Sequence, residues 1–141
     1  MSLVYGDNFI NNNTIESYAF PALFKNNNKL VNAKDLILPA TTLALRCYKY
    51  MFSGCTSLVT APELPATYLV NFCYNVMFVG CTSLNYIKAM FTSAKSNYSY
   101  TAENWLSNVS ATGTFVKNSE ATWDNSEWGI PTGWTVETAS E

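Results

Sequence analysis

The sequence predicts an α/β repeat fold: a short solenoid of about three coils, each a helix followed by a short parallel strand, closed by an irregular C-terminal cap. Three observations predict it. Residues 38–58 read LPATTLALRCYKYMFSGCTSL and residues 64–84 read LPATYLVNFCYNVMFVGCTSL, an internal repeat at a constant offset of 26. Within each copy an apolar stripe at i, i+4, i+8 gives way to a short extended piece, so a helical period is followed by a strand-like one. Beyond Thr92 the repeat stops, and the remaining chain is rich in tryptophan and turn residues.

Taken in order, residues 1–12 are an N-terminal segment, of which Met1, Ser2 and Leu3 read as a vector remnant. A weaker first copy occupies 13–38. Setting Phe24 on Phe52 also sets Thr14 on Thr42, Ile15 on Leu43, Ala19 on Cys47, Leu30 on Leu58 and Ala33 on Ala61. The second and third copies are 39–64 and 65–90. The stripes Ile15/Ala19/Leu23, Leu43/Cys47/Met51 and Leu69/Cys73/Met77 predict one helix in each copy. Thr41 or Thr42, and Asn13 with Glu16 three residues on, suit N-caps, and Gly54 and Gly80 fall where a helix ends in a left-handed residue. Pro21 interrupts the first stripe and asparagines at 26–28 replace the Gly-Cys pair, so the first helix is expected to be short or kinked.

The extended pieces 30–36, 58–64 and 84–90 follow. They set Leu30/Leu58/Leu84, Ala33/Ala61/Ile87 and Leu36/Leu64/Met90 in columns. Such columns stack in parallel because each repeat buries its apolar edge only against its neighbours. Residues 93–141 form the capping segment. Within it, 94–100 is a polar, aromatic loop, 102–109 is a short helix with Trp105 and Leu106 inward, and 113–117 (GTFVK) is a further strand. Residues 121–136 carry Trp123, Trp128 and Trp134 around a Gly-Ile-Pro-Thr-Gly turn.

Composition narrows the chemistry. A chain of 141 residues that is 48 % hydrophobic is one domain with a real core. Its net charge is −2, and the eight Lys and Arg occur singly along the sequence, without the basic patch that nucleic acid or an acidic membrane requires. No apolar run approaches the roughly 20 residues that cross a bilayer, so membrane insertion is not expected. MSLVYGDNF lacks the features of a signal peptide, although a vector remnant there would make that absence silent about location. Histidine is absent, which removes the usual general base, the usual activator of a nucleophile and the commonest metal ligand. No Gly-x-Ser-x-Gly elbow occurs either. Neither catalysis nor a cofactor is expected.

Cys47, Cys55, Cys73 and Cys81 are 8, 18 and 8 residues apart, unlike the ligand spacing of zinc sites. Cys47 with Cys73, and Cys55 with Cys81, fall on adjacent coils, about one strand spacing apart and inside the roughly 4.4–6.8 Å Cα range of disulfides. A cross-coil bridge is therefore open. Parallel side-chain vectors favour reduced core cysteines, which pack well as small apolar residues. Asp124 and Glu127 beside Trp123 and Trp128 resemble a glycosidase pair, but they stand on a Gly/Pro-punctuated segment, a poor mount for two fixed carboxylates. Tyr48 and Tyr74 recur in register and read as packing residues, as do Trp105 and Trp134. The Asn-x-Ser/Thr triplets at Asn12, Asn97 and Asn108 are what an Asn/Ser/Thr-rich chain produces by chance.

The unit CYxxMFxGCTSL, followed by an Ala-Pro-x-Leu-Pro stretch, resembles the BspA-like leucine-rich repeats of bacterial surface proteins. The ending NWLSNVSATGTFVKN…ATW…GIPTGWTV resembles the segment that follows such repeats in proteins of gut anaerobes. The likeness spans residues 13–136 and is strongest over 38–92; the first copy lacks the Gly-Cys pair. It implies a right-handed, leucine-rich-repeat-like solenoid, a cell-surface or secreted location and a binding role without catalytic residues.

The functional expectation is a non-enzymatic protein-binding or adhesion module whose partner is a host or bacterial protein. Alternation along the extended pieces turns Asn32, Lys34 and Asp35, then Thr60 and Glu63, then Tyr86 and Lys88 outward as the contact face. The alternative is glycan binding by the rings of Tyr98, Trp123 and Trp128, and a second alternative is a structural spacer. An uncapped coil would also allow a homodimer.

Overall fold

A computed structural model describes residues 13–92, 101–122 and 129–140. No helix forms among them. The regular elements are three four-residue strands in one open sheet: β1 (Tyr86–Ala89), β2 (Thr114–Lys117) and β3 (Thr135–Thr138). The expected right-handed solenoid of helix plus strand is therefore overturned, and so is the short helix expected at 102–109.

The reason lies in the i, i+4 spacing. It suits a helix approximately, and it suits equally a chain that turns every fourth residue. φ is positive at Tyr18, Ala22 and Asn26, at Arg46, Tyr50 and Gly54, at Phe72, Val76 and Gly80, and at Asn104 and Asn108. A left-handed residue at every fourth position stops an α-helix from continuing. What forms instead is a run of tight turns. In the second copy the amides of Cys47, Lys49, Met51, Ser53 and Cys55 donate to the carbonyls three residues back.

The intervening amides leave their own coil. Tyr48, Tyr50, Phe52 and Gly54 donate to the carbonyls of Cys73, Asn75, Met77 and Val79 at 2.8–3.2 Å. Phe20, Ala22, Phe24 and Asn26 donate likewise to Cys47, Lys49, Met51 and Ser53. Tyr74, Val76, Phe78 and Gly80 donate to Thr101, Glu103, Trp105 and Ser107, so the segment that begins at Thr101 adds a fourth run of turns to the stack. Even and odd residues thus divide the backbone donors between the coil and its neighbour, a full alternative to helical bonding. Pro21 fits this scheme. Its counterpart Lys49 bonds within its own coil, so proline removes one turn bond and no bond between coils. The residues expected as N-caps cap nothing: the amides of Thr41 and Thr42 both donate to the Asn13 carbonyl. Gly54 and Gly80 are left-handed, at φ +74°, but they close the last turn of the run rather than a helix.

Burial follows the same period of four, two residues in and two out. Cys47, Tyr48, Met51, Phe52 and Cys55 are buried, as are Cys73, Tyr74, Met77, Phe78 and Cys81. Their rings stack along the coil axis: Phe24, Phe52 and Phe78 at 5.3 and 5.4 Å, and Phe20, Tyr48 and Tyr74 at 6.2 and 6.1 Å. Trp105 closes the core. It stacks on Tyr74 at 6.3 Å and stands edge-on to Phe91 at 5.3 Å and Phe115 at 6.0 Å.

The sheet is parallel throughout, with Tyr86 opposite Thr114 and Thr114 opposite Thr135. Single bridges carry the ladder back across the earlier copies, from Tyr86 to Thr60 and from Thr60 to Asn32. One expected column does not form, because Leu64 bridges Ala89 rather than Met90. Pro62 has no amide to give, and the chain gains one residue between Thr60 and Leu64 relative to β1.

Candidate functional site

The sheet ladder sets Asn32, Thr60 and Tyr86 in one row, three coils deep, and Thr114 and Thr135 continue that row. The slip at Pro62 shapes the next row. It moves Glu63 alongside Lys88, whose ammonium meets the Glu63 carboxylate at 3.3 Å. In strict register Lys88 would have faced Pro62. A half-exposed pair of this kind contributes only about 0–1 kcal/mol, so its value lies in fixing two charges on the face. Lys34 and Asp35 are exposed on the turn that follows Asn32, whose side-chain carbonyl accepts the Lys34 amide at 2.8 Å. Tyr86 is 37 % exposed, enough to offer a ring edge and a hydroxyl.

Beside this face lies a shallow depression of about 410 Å³, lined by Lys34, Leu36, Ile37, Leu38, Pro39, Glu63 and Pro65. Ile37 is 54 % exposed there, an apolar side chain in a depression that a cation and an anion also line. Sequence reasoning missed Ile37, Thr114 and Thr135. The strand at 114–117 was legible, but its register with Tyr86 depends on the length of the intervening chain. The alternation that singled out Glu63 and Lys88 gave no sign of their pairing.

The rings of the alternative reading, Tyr98, Trp123 and Trp128, lie outside the described residues, as do Asp124 and Glu127. Trp134 is buried, and its indole Nε1–H donates to the Ser110 carbonyl at 2.8 Å.

All four cysteines are free and buried. Three tie coils together: the Cys55 thiol donates to the Phe24 carbonyl and the Cys81 thiol to the Phe52 carbonyl, each at 3.0 Å, and the Cys73 thiol to the Thr101 carbonyl at 3.9 Å. Burial pushes the Cys81 thiol from 9.0 up to about 12, with the neighbouring Cys55 adding to the rise. Burial likewise pushes Cys47 up to about 11. The unfolded thiols ionise near 9.0 while the folded ones do not, so this contribution to stability is complete below pH 9.0. It is lost progressively as the pH rises toward about 12. Two outcomes are expected: a disulfide reagent at pH 8 should label no cysteine until denaturant unfolds the chain, and the denaturation midpoint should fall steadily above pH 9.

Among the described residues no three of His, Cys, Asp and Glu stand close enough to hold a metal ion. No helix there is long and apolar enough to cross a membrane. The chain matches no protein-family model, no curated protein and no solved structure.

Proposed function

We propose that the chain is a non-enzymatic protein-binding or adhesion module of a bacterial cell-surface or secreted protein, and that it contacts its partner through the sheet face. The setting rests on the resemblance of the doubled CYxxMFxGCTSL unit to repeats of bacterial surface proteins. The contact surface rests on one observation: the row Asn32–Thr60–Tyr86 lies beside the fixed Glu63–Lys88 pair and the open depression at Ile37. A regular row of side chains on stacked coils gives a flat surface whose variable positions set specificity. Tyrosine is enriched at protein interfaces, and a charge pair at the rim of such a surface adds specificity for the partner.

The test is a screen of the chain against immobilised extracellular host proteins, bacterial surface proteins and glycans. A protein partner is expected. Its affinity should fall about fivefold to tenfold in the variant Glu63→Ala/Tyr86→Ala/Lys88→Ala, with the melting temperature unchanged within a few degrees. Unchanged affinity in that variant would remove the sheet face as the site, and binding to glycans alone would replace the reading altogether.

A further inference from the structure

The runs of turns expose a second face, and the folded chain gathers on it charges that are scattered in the sequence. Its left-handed positions carry Tyr18, Arg46, Tyr50 and Phe72, large side chains at φ values of 56–59°. Glycine or asparagine would hold that conformation at lower cost, as they do at Gly54, Gly80 and Asn26 in the same runs. Strained positions that keep bulky side chains point to a role outside the fold.

The three rings hold three cations, Arg46 among them. The Arg46 guanidinium lies 5.5 Å from the Tyr18 ring and 4.8 Å from the Phe72 ring, and it donates to the Tyr18 hydroxyl at 3.2 Å. The Lys49 ammonium lies 4.9 Å from Phe72 and 5.0 Å from Tyr50, and the Lys25 ammonium also lies 5.0 Å from Tyr50. Each neighbouring pair of cations therefore shares one ring. Among the described residues no carboxylate pairs with any of the three, whereas Lys88 has Glu63. In a chain of net charge −2, the patch gathers three of the eight Lys and Arg. Leu45, next to Arg46 in the chain, and Tyr18, in contact with it, are exposed at 36 % and 51 %.

We propose that this turn face binds an acidic protein segment, one whose carboxylates meet Lys25, Arg46 and Lys49 and whose apolar side chains cover Leu45 and Tyr18. Charge complementarity selects an anion, and the exposed Leu45 selects a polypeptide over an acidic polysaccharide, which has no aliphatic groups to cover it. The face is separate from the sheet face of the proposed function, so the two stand or fall independently.

A random copolymer of glutamate and tyrosine is the probe, with heparin as the comparison. The copolymer should bind the intact chain and weaken as salt rises. Binding should drop roughly tenfold or more in Lys25→Gln/Arg46→Gln/Lys49→Gln. Lys25→Gln/Lys49→Gln, which leaves the half-buried Arg46 in place, should show an intermediate loss and guards against misfolding of the triple variant. The control Lys34→Gln/Lys88→Gln, on the sheet face, should bind as the parent does. An equal loss in the control, no binding of the copolymer, or binding of heparin alone would each overturn the proposal.

Discussion

Replacing Trp105 with alanine should destabilise the chain by about 3–5 kcal/mol, the range for removing a large aromatic from a packed core. That is a large share of the roughly 5–15 kcal/mol that holds a domain folded. Trp105 has no solvent exposure, and its ring meets Tyr74, Phe78, Phe91 and Phe115. It is where the tyrosine column ends, the phenylalanine column arrives and the sheet begins, so no single neighbour can move in to fill the space. Urea unfolding followed by the remaining fluorescence measures the effect. A loss under about 1 kcal/mol would mean that the ring is not at the centre of the core.

The second large effect concerns the close approach of the last coils. A Cβ on Gly113 would stand 2.6 Å from the Asn85 carbonyl oxygen and 2.8 Å from the Trp134 ring. The oxygen belongs to backbone, which cannot swing aside. Gly113→Ala should therefore cost about 1–3 kcal/mol, as overpacking does, and should push Trp134 toward solvent. Gly80→Ala is the companion experiment. Among the described residues a Cβ there meets only Gly54 backbone atoms, the nearest at 3.8 Å, so its cost is that of the left-handed φ, about 1–2 kcal/mol. A red shift of tryptophan emission is expected for Gly113→Ala and not for Gly80→Ala. Identical spectra for the two variants would show that Trp134 does not lie over Gly113.

Much of the stacking was legible, because it is written in register: Phe24, Phe52 and Phe78 recur at fixed offsets, and so do Tyr48 and Tyr74. The local conformation was not. Leu43, Cys47 and Met51 fit one stripe of a helix, but a helix turns about 100° per residue, so residues four apart drift by about 40° each step. The strict pairing of Cys47–Tyr48 with Met51–Phe52 does not drift, and an unbroken period of four was the available sign of repeated turns. The glycines at 54 and 80 announced their left-handed φ; Arg46, Tyr50 and Phe72 did not, because nothing in their chemistry favours it. The sheet face was partly legible. Alternation found Glu63 and Lys88, while their pairing needed the slip that Pro62 introduces. The turn face was hidden entirely, since Lys25, Arg46 and Lys49 come together only when successive runs of turns stack.

The fold and both proposed faces depend on amides that bond between coils and not along a helix. Trans-hydrogen-bond scalar couplings, measured by nuclear magnetic resonance on the isotope-labelled chain, identify the acceptor of each amide directly. The Phe52 amide should couple to the carbonyl carbon of Met77, and the Phe78 amide to that of Trp105. A coupling from Phe52 to Tyr48, four residues back, would restore the helix and dismantle both proposed faces.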